Sequence, residues 1–193
     1  MFTGITQDTG KIINYKKPSE YVIETKMSLK KVSIGSSIMC SGICLTVIKK
    51  KLNNFSVNIS EETLKVTTAK YWKKNTSINL EKSLKIGDEL GGHIVTGHVD
   101  IICVLKEKKF LNKSVLMIFS LTKPIQKFIC KKGSVTIDGV SLTVNNTTNN
   151  DFSVNIIPHT FKITSLGKLE KGDKVNLEVD ILARYINKNI KKY

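Results

Sequence analysis

A thiol and a hydroxyl occupy matching positions in a short motif that the 193-residue chain contains twice. Residues 42–47 read Gly-Ile-Cys-Leu-Thr-Val, and residues 139–144 read Gly-Val-Ser-Leu-Thr-Val. Cys44 and Ser141 are therefore separated by an offset of 97 residues (141 − 44 = 97). Both side chains can take part in hydrogen bonding and proton transfer, so the duplication predicts one polar site in each half of the chain.

Each copy places further polar side chains beside this position. Side chains alternate between the two faces of a strand, so Thr46 shares a face with Cys44 and Thr143 shares a face with Ser141. The neighbouring strands add hydroxyl and amide groups at Ser56, Asn58, Ser60, Ser153 and Asn155. Such a strip suits a polar heterocycle, whose carbonyls and ring nitrogens need several fixed hydrogen bonds. A solvated outer face of a barrel explains the same pattern equally well.

The three histidines do not form an obvious metal-binding pattern. His93 and His98 are five residues apart, so on an extended strand they would point to opposite faces. His98 stands where Ile5 stands in the first copy, which puts a titratable group at only one of two equivalent positions. His159 follows a proline, and Glu62 stands at its equivalent place. We expect no metal.

The cysteines and the net charge also carry little functional information. Disulfides are improbable in a cytoplasmic chain, and we predict that Cys40, Cys103 and Cys130 are buried free thiols. The formal charge of +15 comes from 31 basic residues, of which only Arg184 is arginine. Proteins that read phosphates and bases favour arginine, and these lysines are scattered, so we do not expect nucleic-acid binding.

No segment predicts a membrane protein or an exported one. No apolar run approaches the roughly 18 residues that a membrane-spanning helix needs. The N-terminal residues lack the basic and apolar regions of a signal peptide. We therefore expect a cytoplasmic protein that does not contact membranes.

The elements that must position these residues are short strands. Strict alternation in 55–59, the matching strand at 152–157, and apolar strand regions at 37–48 and 134–145 predict two small antiparallel β-barrels. A helical turn is expected within 27–34 and a short helix within 124–131, the latter with a proline near its start. The duplication divides the chain into domains at 1–96 and 97–180, followed by a C-terminal segment, 181–193.

The C-terminal segment has the pattern of an amphipathic helix. Asp180 is a suitable N-cap, and apolar residues then recur at helical spacing. They are Ile181, Leu182, Tyr185, Ile186 and Ile190. From the pattern alone, docking on the adjacent barrel and contact with another subunit are equally good explanations.

Several stretches together resemble one enzyme family. Residues 1–5 read Met-Phe-Thr-Gly-Ile, residues 91–100 read Gly-Gly-His-Ile-Val-Thr-Gly-His-Val-Asp, and residues 137–143 read Ile-Asp-Gly-Val-Ser-Leu-Thr. Together with the repeated motif at 42–47 and 139–144, these stretches resemble the trimeric riboflavin synthases, which contain two lumazine-binding repeats. The likeness extends over essentially the whole chain. It implies an all-β fold of two similar six-stranded antiparallel Greek-key barrels, plus the C-terminal α-helix.

The resemblance also implies a reaction without metal or cofactor. Two molecules of 6,7-dimethyl-8-ribityllumazine exchange a four-carbon unit, which yields riboflavin and 5-amino-6-ribitylaminouracil. Each barrel would bind one lumazine. The active site would form between the N-terminal barrel of one subunit and the C-terminal barrel of its neighbour in a homotrimer, which the C-terminal helix would help to hold together.

Site residues follow from the same resemblance. Cys44, His98 and Ser141 are the expected catalytic groups, since proton transfers need groups of this kind. The first site is expected to consist of Gly4, Ile5, Thr6, Cys44, Leu45, Thr46, Asn58, Ile59, Ser60, Glu61, Glu62 and Thr63. The second site is expected to consist of Gly97, His98, Val99, Ser141, Leu142, Thr143, Asn155, Ile156, Ile157, Pro158, His159 and Thr160. Lys132 of a partner subunit would complete the second site.

Two competing functions stay open. The first is a non-catalytic relative that holds a fluorophore on this fold and keeps only one working site, but here both repeats keep their polar strips. The second is a basic barrel that binds nucleic acid, which predicts a steep dependence of affinity on salt. Residues 38–41 and 69–77 depart from the family's pattern, and we expect these departures to affect local loop geometry and not the function.

Overall fold

Two closed β-barrels account for most of the computed structural model, which describes residues 1–16 and 19–190. The first barrel contains β1 (Asp8–Lys16), β2 (Glu20–Glu24), β3 (Ser37–Cys40), β4 (Ile43–Lys50), β5 (Asn54–Asn58) and β6 (Ser77–Lys82). The second contains β7 (Ile101–Leu111), β8 (Ser114–Ser120), β9 (Ser134–Ile137), β10 (Val140–Thr147), β11 (Asp151–Ile156) and β12 (Lys174–Val179). The expected duplication and the all-β barrel fold are confirmed.

The two barrels share one Greek-key topology. Around the first barrel the strands follow the order β1-β2-β5-β4-β3-β6, and around the second the order β7-β8-β11-β10-β9-β12. All neighbouring strands within each barrel are antiparallel. Alternation fills each interior: Phe55 and Val57 of β5 are fully buried, as are Phe152 and Val154 of β11. Each barrel therefore has its own apolar core.

Tight turns divide the two long strand regions that the sequence predicts. Ser41 and Gly42 have φ of 44° and 84°, and Asp138 and Gly139 have φ of 45° and 79°. Two consecutive residues with positive φ are typical of type I′ turns, which suit the twist of a two-residue β-hairpin. The regions 37–48 and 134–145 are thus two hairpins, β3–β4 and β9–β10, rather than continuous strands.

Short helices follow the fifth strand of each barrel, and the sequence pattern did not predict them. They are α1 (Glu61–Val66) and α3 (Pro158–Ile163), and each leads into a 3₁₀ turn, at Thr68–Tyr71 and Ser165–Lys168. The Ser60 hydroxyl caps α1 by accepting a hydrogen bond from the Thr63 N–H (3.1 Å). The similar turns show that the departure at 69–77 leaves the local geometry unchanged.

The other two expected helical segments are shorter than predicted. The segment 27–34 contains no helix, because Met27, Leu29 and Val32 instead pack into the core of the first barrel. The expected helix at 124–131 is reduced to the four residues of α2 (Lys123–Gln126).

The expected C-terminal helix is present as α4 (Ile181–Ile190), after the second barrel. Asp180 caps it, since its carboxylate accepts a hydrogen bond from the Leu182 N–H (2.9 Å). Residues 191–193 of the expected helical segment lie outside the described residues, as does the side chain of Ile190. Among the helices described here, none has the length and apolar character needed to cross a membrane.

Candidate active site

The segment that precedes each barrel crosses over to the other barrel. The Gly4 carbonyl accepts a hydrogen bond from the Ser141 N–H (2.8 Å), and the Gly97 carbonyl accepts one from the Cys44 N–H (2.9 Å). A Cβ atom on either glycine would lie 2.6 Å from the Cβ of its partner, which is too close for any side chain. Both glycines also have positive φ, 78° and 77°. Only glycine fits these two positions.

This exchange corrects the expected grouping of the site residues. The sequence grouped Gly4 with Cys44 and Gly97 with Ser141, because each pair belongs to one repeat. Within the chain, Gly4 lies against Ser141 and Gly97 against Cys44. Val99 packs against the core of the first barrel and not that of its own barrel. Each site therefore combines strands of one barrel with the leading segment of the other.

A buried glutamate anchors each crossing segment to its own barrel. The Glu81 carboxylate accepts hydrogen bonds from the Thr3 N–H (2.7 Å), the Thr3 hydroxyl (2.9 Å) and the Gly4 N–H (3.0 Å). Glu178 accepts the equivalent three from Thr96 and Gly97, at 2.7, 2.6 and 2.9 Å. Burial raises the pKa of Glu81, while the donors from Thr3 and Gly4 act in the opposite direction. Each crossing segment is thus bound to its own barrel by the glutamate and to the other barrel by the glycine carbonyl.

Paired amides join the two barrels next to the site. The Asn79 side chain donates to the Asp138 carbonyl (2.9 Å), and the Asn176 side chain donates to the Ser41 carbonyl (2.7 Å). The side-chain oxygens of the two asparagines accept backbone hydrogen bonds from Ser165 and Thr68, both at 2.7 Å. All of these groups are buried. The network fixes the mutual orientation of the hairpins that carry Cys44 and Ser141.

The polar strips lie on the outer faces of the barrels, as the strand period predicts. Their exposed members are Thr46, Asn58, Ser60, Thr143 and Asn155. Cys44 and Ser141, at the start of each strip, are half-buried. Leu45, Ile59 and Ile156 point into the barrel cores, so only their backbones can face a ligand. Glu61, Glu62 and Thr63 lie in the first turn of α1, and Pro158, His159 and Thr160 lie in that of α3.

His98 is exposed and lies beside α4 rather than in the core of the site. It lines a cavity of about 340 Å³ together with Arg184 and Tyr185. Arg184 is held there by an ion pair with Asp100 (2.6 Å). The His98 ring makes no side-chain hydrogen bond within residues 1–16 and 19–190.

His93 is the residue that sequence reasoning missed. Its Nδ1 lies 2.7 Å from the Ser141 hydroxyl oxygen, and its Nε2 lies 3.1 Å from that of Thr136. Burial lowers the pKa of His93, although the charge of Asp180 opposes the shift. The Thr-Gly pairs of the two copies are offset by 93 residues (96 − 3 = 93), so the first copy has no residue equivalent to His93. Comparison of the repeats could not reveal it.

Lys132 has an unusual backbone conformation. It is exposed, and its φ of 69° lies in the left-handed region, where its repeat equivalent Gly35 has φ of 89°. Left-handed geometry costs an ordinary residue roughly 1–2 kcal/mol. Ser41, Asn75 and Asp138 are the other non-glycine residues with positive φ in the described part of the chain.

The cysteines differ partly from expectation. Cys40 and Cys103 are buried as predicted, and burial raises the pKa of the Cys103 thiol to about 12. Cys130 is exposed, which contradicts its predicted burial, because it lies in the loop after α2 rather than within a helix that packs on the barrel. No group of three metal-ligating side chains occurs in the part of the chain that the structure describes.

Comparison with known proteins identifies the family. The profile of the lumazine binding domain matches twice, at residues 3–83 and 96–180. A riboflavin synthase from Brucella abortus (strain 2308) is 45% identical over 193 residues, which cover 96% of each chain. The chain belongs to the riboflavin synthase family. Riboflavin synthases from Photobacterium phosphoreum (41% identity, 97% of this chain and 88% of that protein) and Bacillus subtilis (34%, 100% and 91%) are similar along their length.

Solved structures agree with the fold of this riboflavin synthase family member. LumP complexed with riboflavin has a TM-score of 0.83 at 24% sequence identity, covering 93% of this chain and 99% of that one. LumP complexed with 6,7-dimethyl-8-(1'-D-ribityl) lumazine has a TM-score of 0.81 at 22% identity, with the same coverage. The sequence matches thus establish the chain as an enzyme of riboflavin synthesis, and the structural matches establish its barrel architecture.

Proposed function

We propose that the chain converts two molecules of 6,7-dimethyl-8-ribityllumazine into riboflavin and 5-amino-6-ribitylaminouracil. Four carbons pass from one lumazine to the other, and every atom of the two substrates is recovered in the two products. The reaction therefore needs no oxidant, reductant or cofactor. We propose that this chain likewise works without a cofactor, and we assign no metal to it.

One observation carries this proposal: both halves of the chain keep the same polar arrangement around Cys44 and Ser141. Each half has a half-buried side chain at this position, the thiol of Cys44 or the hydroxyl of Ser141. The backbone N–H of Cys44 donates to the Gly97 carbonyl (2.9 Å), and that of Ser141 donates to the Gly4 carbonyl (2.8 Å). Each also has an exposed strip of hydroxyl and amide groups on the adjacent strands. A protein that only stores a ligand needs one such site, whereas a dismutation of two identical molecules needs two.

The chemistry requires one lumazine to lose a proton and the other to accept an addition. Loss of a proton from the C7 methyl group gives a carbanion whose charge spreads over the ring to the pyrimidine carbonyls. Hydrogen-bond donors placed at those carbonyls stabilise the anion. We propose that Cys44, His98 and Ser141 act in the proton transfers, and that the remaining strip residues orient the heterocycle.

We also propose a homotrimer in which each active site lies between two subunits. On α4, the side chains of Leu182, Tyr185 and Ile186 are about 60% exposed, so this part of the predicted stripe is not covered by its own barrel. An exposed apolar stripe of this kind marks an interaction surface. Ile5 and Ile157, next to the two sites, are also half exposed, at 49% and 57%. Placing two lumazines face to face would lower the activation free energy by several kcal/mol. Good orientation of two reactants can lower it by roughly 7–11 kcal/mol in all.

The remaining assignments follow from this arrangement. Lys132 would reach the second site of a neighbouring subunit, which accounts for a charged side chain at a strained position. The cytoplasmic location stays a prediction, as does the division into domains at residues 96 and 180.

The test is to incubate the purified chain with the lumazine alone and to follow riboflavin by its absorbance. One riboflavin should form for every two lumazines consumed, without added cofactor. Cys44→Ala and His98→Ala should each lower kcat. A chain that binds lumazine tightly at one site and forms no product would instead be a storage protein. If Cys44→Ala and His98→Ala both kept the wild-type kcat and lumazine affinity, Cys44 and His98 would have no part in the mechanism.

A further inference from the structure

A cavity of about 450 Å³ lies between the two barrels, and none of the residues assigned to the lumazine sites lines it. Its lining includes pairs of residues that are equivalent by the repeat offset of 97, among them Ser41 with Asp138 and Thr68 with Ser165. Both barrels therefore contribute to it. Small-molecule sites typically have volumes of roughly 300–1,000 Å³ and often lie between domains. The cavity thus has the size and the position of a further ligand site.

Differences between the repeats make the two walls of this cavity chemically unlike. The first barrel contributes two aromatic rings, those of Tyr71 and Trp72. The second barrel has Lys168 at the position equivalent to Tyr71, and Lys174 at the position equivalent to Ser77. One wall is thus aromatic and the other cationic, and this combination suits a planar ring that carries a negative charge.

The two lysines of the cationic wall have only neutral partners. Lys168 Nζ lies 3.5 Å from the Ser77 hydroxyl oxygen, and Lys174 Nζ lies 3.1 Å from that of Tyr71. Neither lysine belongs to an ion pair within residues 1–16 and 19–190. Asp173 also lines the cavity, but its carboxylate accepts a hydrogen bond from a backbone N–H (2.8 Å). An anion at this wall would gain charge-assisted hydrogen bonds without displacing a carboxylate.

The floor of the cavity contains an acceptor and a donor that lack partners. Asp138 and Ser165 line it and are only 7% and 8% exposed. One Asp138 carboxylate oxygen accepts a hydrogen bond from the Asn176 N–H (2.8 Å). The other oxygen and the Ser165 hydroxyl have no hydrogen-bond partner in the described part of the chain. Buried polar groups of this kind are costly to leave unpaired, and the N–H groups and ring nitrogens of a heterocycle are suitable partners.

We propose that this cavity binds a nucleoside monophosphate, in which a nitrogen heterocycle is linked to a phosphate monoester. The phosphate lies at Lys168 and Lys174, the ring lies against Trp72, and the polar edge of the ring meets the floor at Asp138 and Ser165. Such a ligand contacts both barrels at once, so its binding stabilises their association. The inference goes beyond the proposed function and does not depend on it, because the lumazine sites use other residues.

The single tryptophan of the chain makes the binding directly measurable. Because Trp72 is the only tryptophan and lines the cavity, its fluorescence reports on occupancy. Titration of the purified chain with adenosine monophosphate should give a saturable change in this fluorescence and a higher melting temperature. Adenosine lacks the phosphate and inorganic phosphate lacks the ring, so each should bind at least about tenfold more weakly. The absence of saturable binding of adenosine monophosphate at millimolar concentration, or an equal affinity for adenosine, would overturn the proposal.

Lysine substitutions test whether the nucleotide occupies this cavity. Lys168→Gln and Lys174→Gln each remove one charge-assisted hydrogen bond to the phosphate, so each should weaken the binding of adenosine monophosphate about tenfold in calorimetric titrations. Lys171→Gln is the matched control, because Lys171 is an exposed neighbour that does not line the cavity. It should keep the wild-type affinity. An equal loss of affinity in all three variants would show a non-specific effect of charge and would contradict the proposed site.

Competition with lumazine separates this cavity from the lumazine sites. Equilibrium dialysis with labelled adenosine monophosphate should show the same bound nucleotide with and without a saturating concentration of 6,7-dimethyl-8-ribityllumazine. Displacement of the nucleotide by lumazine would place it in the lumazine sites and would exclude the cavity. Failure of the chain to form riboflavin would count against the proposed function alone, because none of these binding measurements requires turnover.

Discussion

Lys132 has a backbone conformation that is costly for the fold, and its proposed role in the site can be tested by substitution. Its left-handed backbone, with φ of 69°, is a conformation that glycine adopts freely. Lys132→Gly should relieve this strain, although glycine also increases the entropy of the unfolded chain. We expect the free energy of unfolding to stay level or to rise by up to about 1 kcal/mol. The KM for lumazine should nevertheless increase several-fold, as measured by steady-state kinetics.

The neighbouring lysine is the matched control for that substitution. Lys131 is also exposed but is not among the residues with positive φ. Lys131→Gly should destabilise the protein by about 0.5–1 kcal/mol and leave the KM unchanged. If Lys132→Gly were as destabilising as Lys131→Gly, or left the KM unchanged, the link between strain and function at Lys132 would be lost.

At the scale of elements, the crossing segments make each site depend on the other barrel. Glu178 holds Thr96 and Gly97 with three hydrogen bonds, and Gly97 covers the backbone of Cys44. In Glu178→Gln, the amide N–H₂ faces backbone donors, so one anchor becomes a repulsive contact. We expect the segment to loosen and Cys44 to react about tenfold faster with a thiol reagent. The measurement is made in a Cys130→Ser background, because Cys130 is exposed.

The repeat supplies the control for this prediction. Glu81 holds the other crossing segment, which lies against Ser141 rather than Cys44. Glu81→Gln is the same chemical change in the equivalent place, and it should leave the Cys44 reaction rate near that of the background protein. Equal acceleration by both substitutions would show general loosening and would contradict the crossed arrangement.

The elements also show what the sequence could and could not reveal. Alternation of apolar residues and the Asp138-Gly139 pair carry local information, so the strands and one of the hairpin turns are readable from the chain. The helices α1 and α3 are six residues long and have no buried residues, so no apolar period marks them. Their signals are limited to a capping serine at Ser60 and a proline at Pro158.

The crossing of the segments is a tertiary fact that no local pattern contains. The repeat pairs Gly4 with Gly97 and Cys44 with Ser141, but it does not say which glycine meets which strand. That choice depends on the approach of the two hairpins, whose turn glycines, Gly42 and Gly139, nearly touch: a Cβ on either would lie 2.8–3.0 Å from the other's backbone nitrogen. The repeat thus identifies the two glycines and the two strands that meet, but only the tertiary structure shows that Gly4 meets Ser141 and Gly97 meets Cys44.

For the whole molecule, the first question is how copies of the chain associate. A negative charge in the middle of an interface is expensive, whereas Ile186 is 59% exposed in the single chain. Ile186→Glu should therefore convert the proposed trimer into smaller species in sedimentation experiments and abolish activity at micromolar concentration. Lys188→Glu, which introduces the same residue beside the stripe, should remain trimeric and active. A trimer that survives Ile186→Glu would place the interface elsewhere.

The second question is how the two barrels stay together, and pH offers a way to measure it. Asp138 lies in the turn of β9–β10 at the junction of the barrels, where its carboxylate accepts a hydrogen bond from the Asn176 N–H (2.8 Å). Burial raises the pKa of Asp138 from 3.8 to about 7. Because the folded protein holds this proton more tightly than the unfolded chain, the stabilising contribution of Asp138 is complete below about pH 4 and is lost as the pH rises through 7.

Asp138→Asn should remove this dependence while it keeps the acceptor for the Asn176 N–H. The stability of the variant relative to the wild type, measured by urea denaturation, should increase between pH 5 and pH 8 by an amount of the order of 1–3 kcal/mol. Ser41 is the equivalent residue of the first barrel, and its hydroxyl accepts a hydrogen bond from the Asn79 N–H (3.1 Å). Because that hydroxyl does not titrate, Ser41→Ala should cost about the same free energy at both pH values. A stability difference between Asp138→Asn and the wild type that is the same at pH 5 and pH 8 would mean that Asp138 is already charged in the folded protein, and the junction of the barrels would then have to accommodate a buried negative charge.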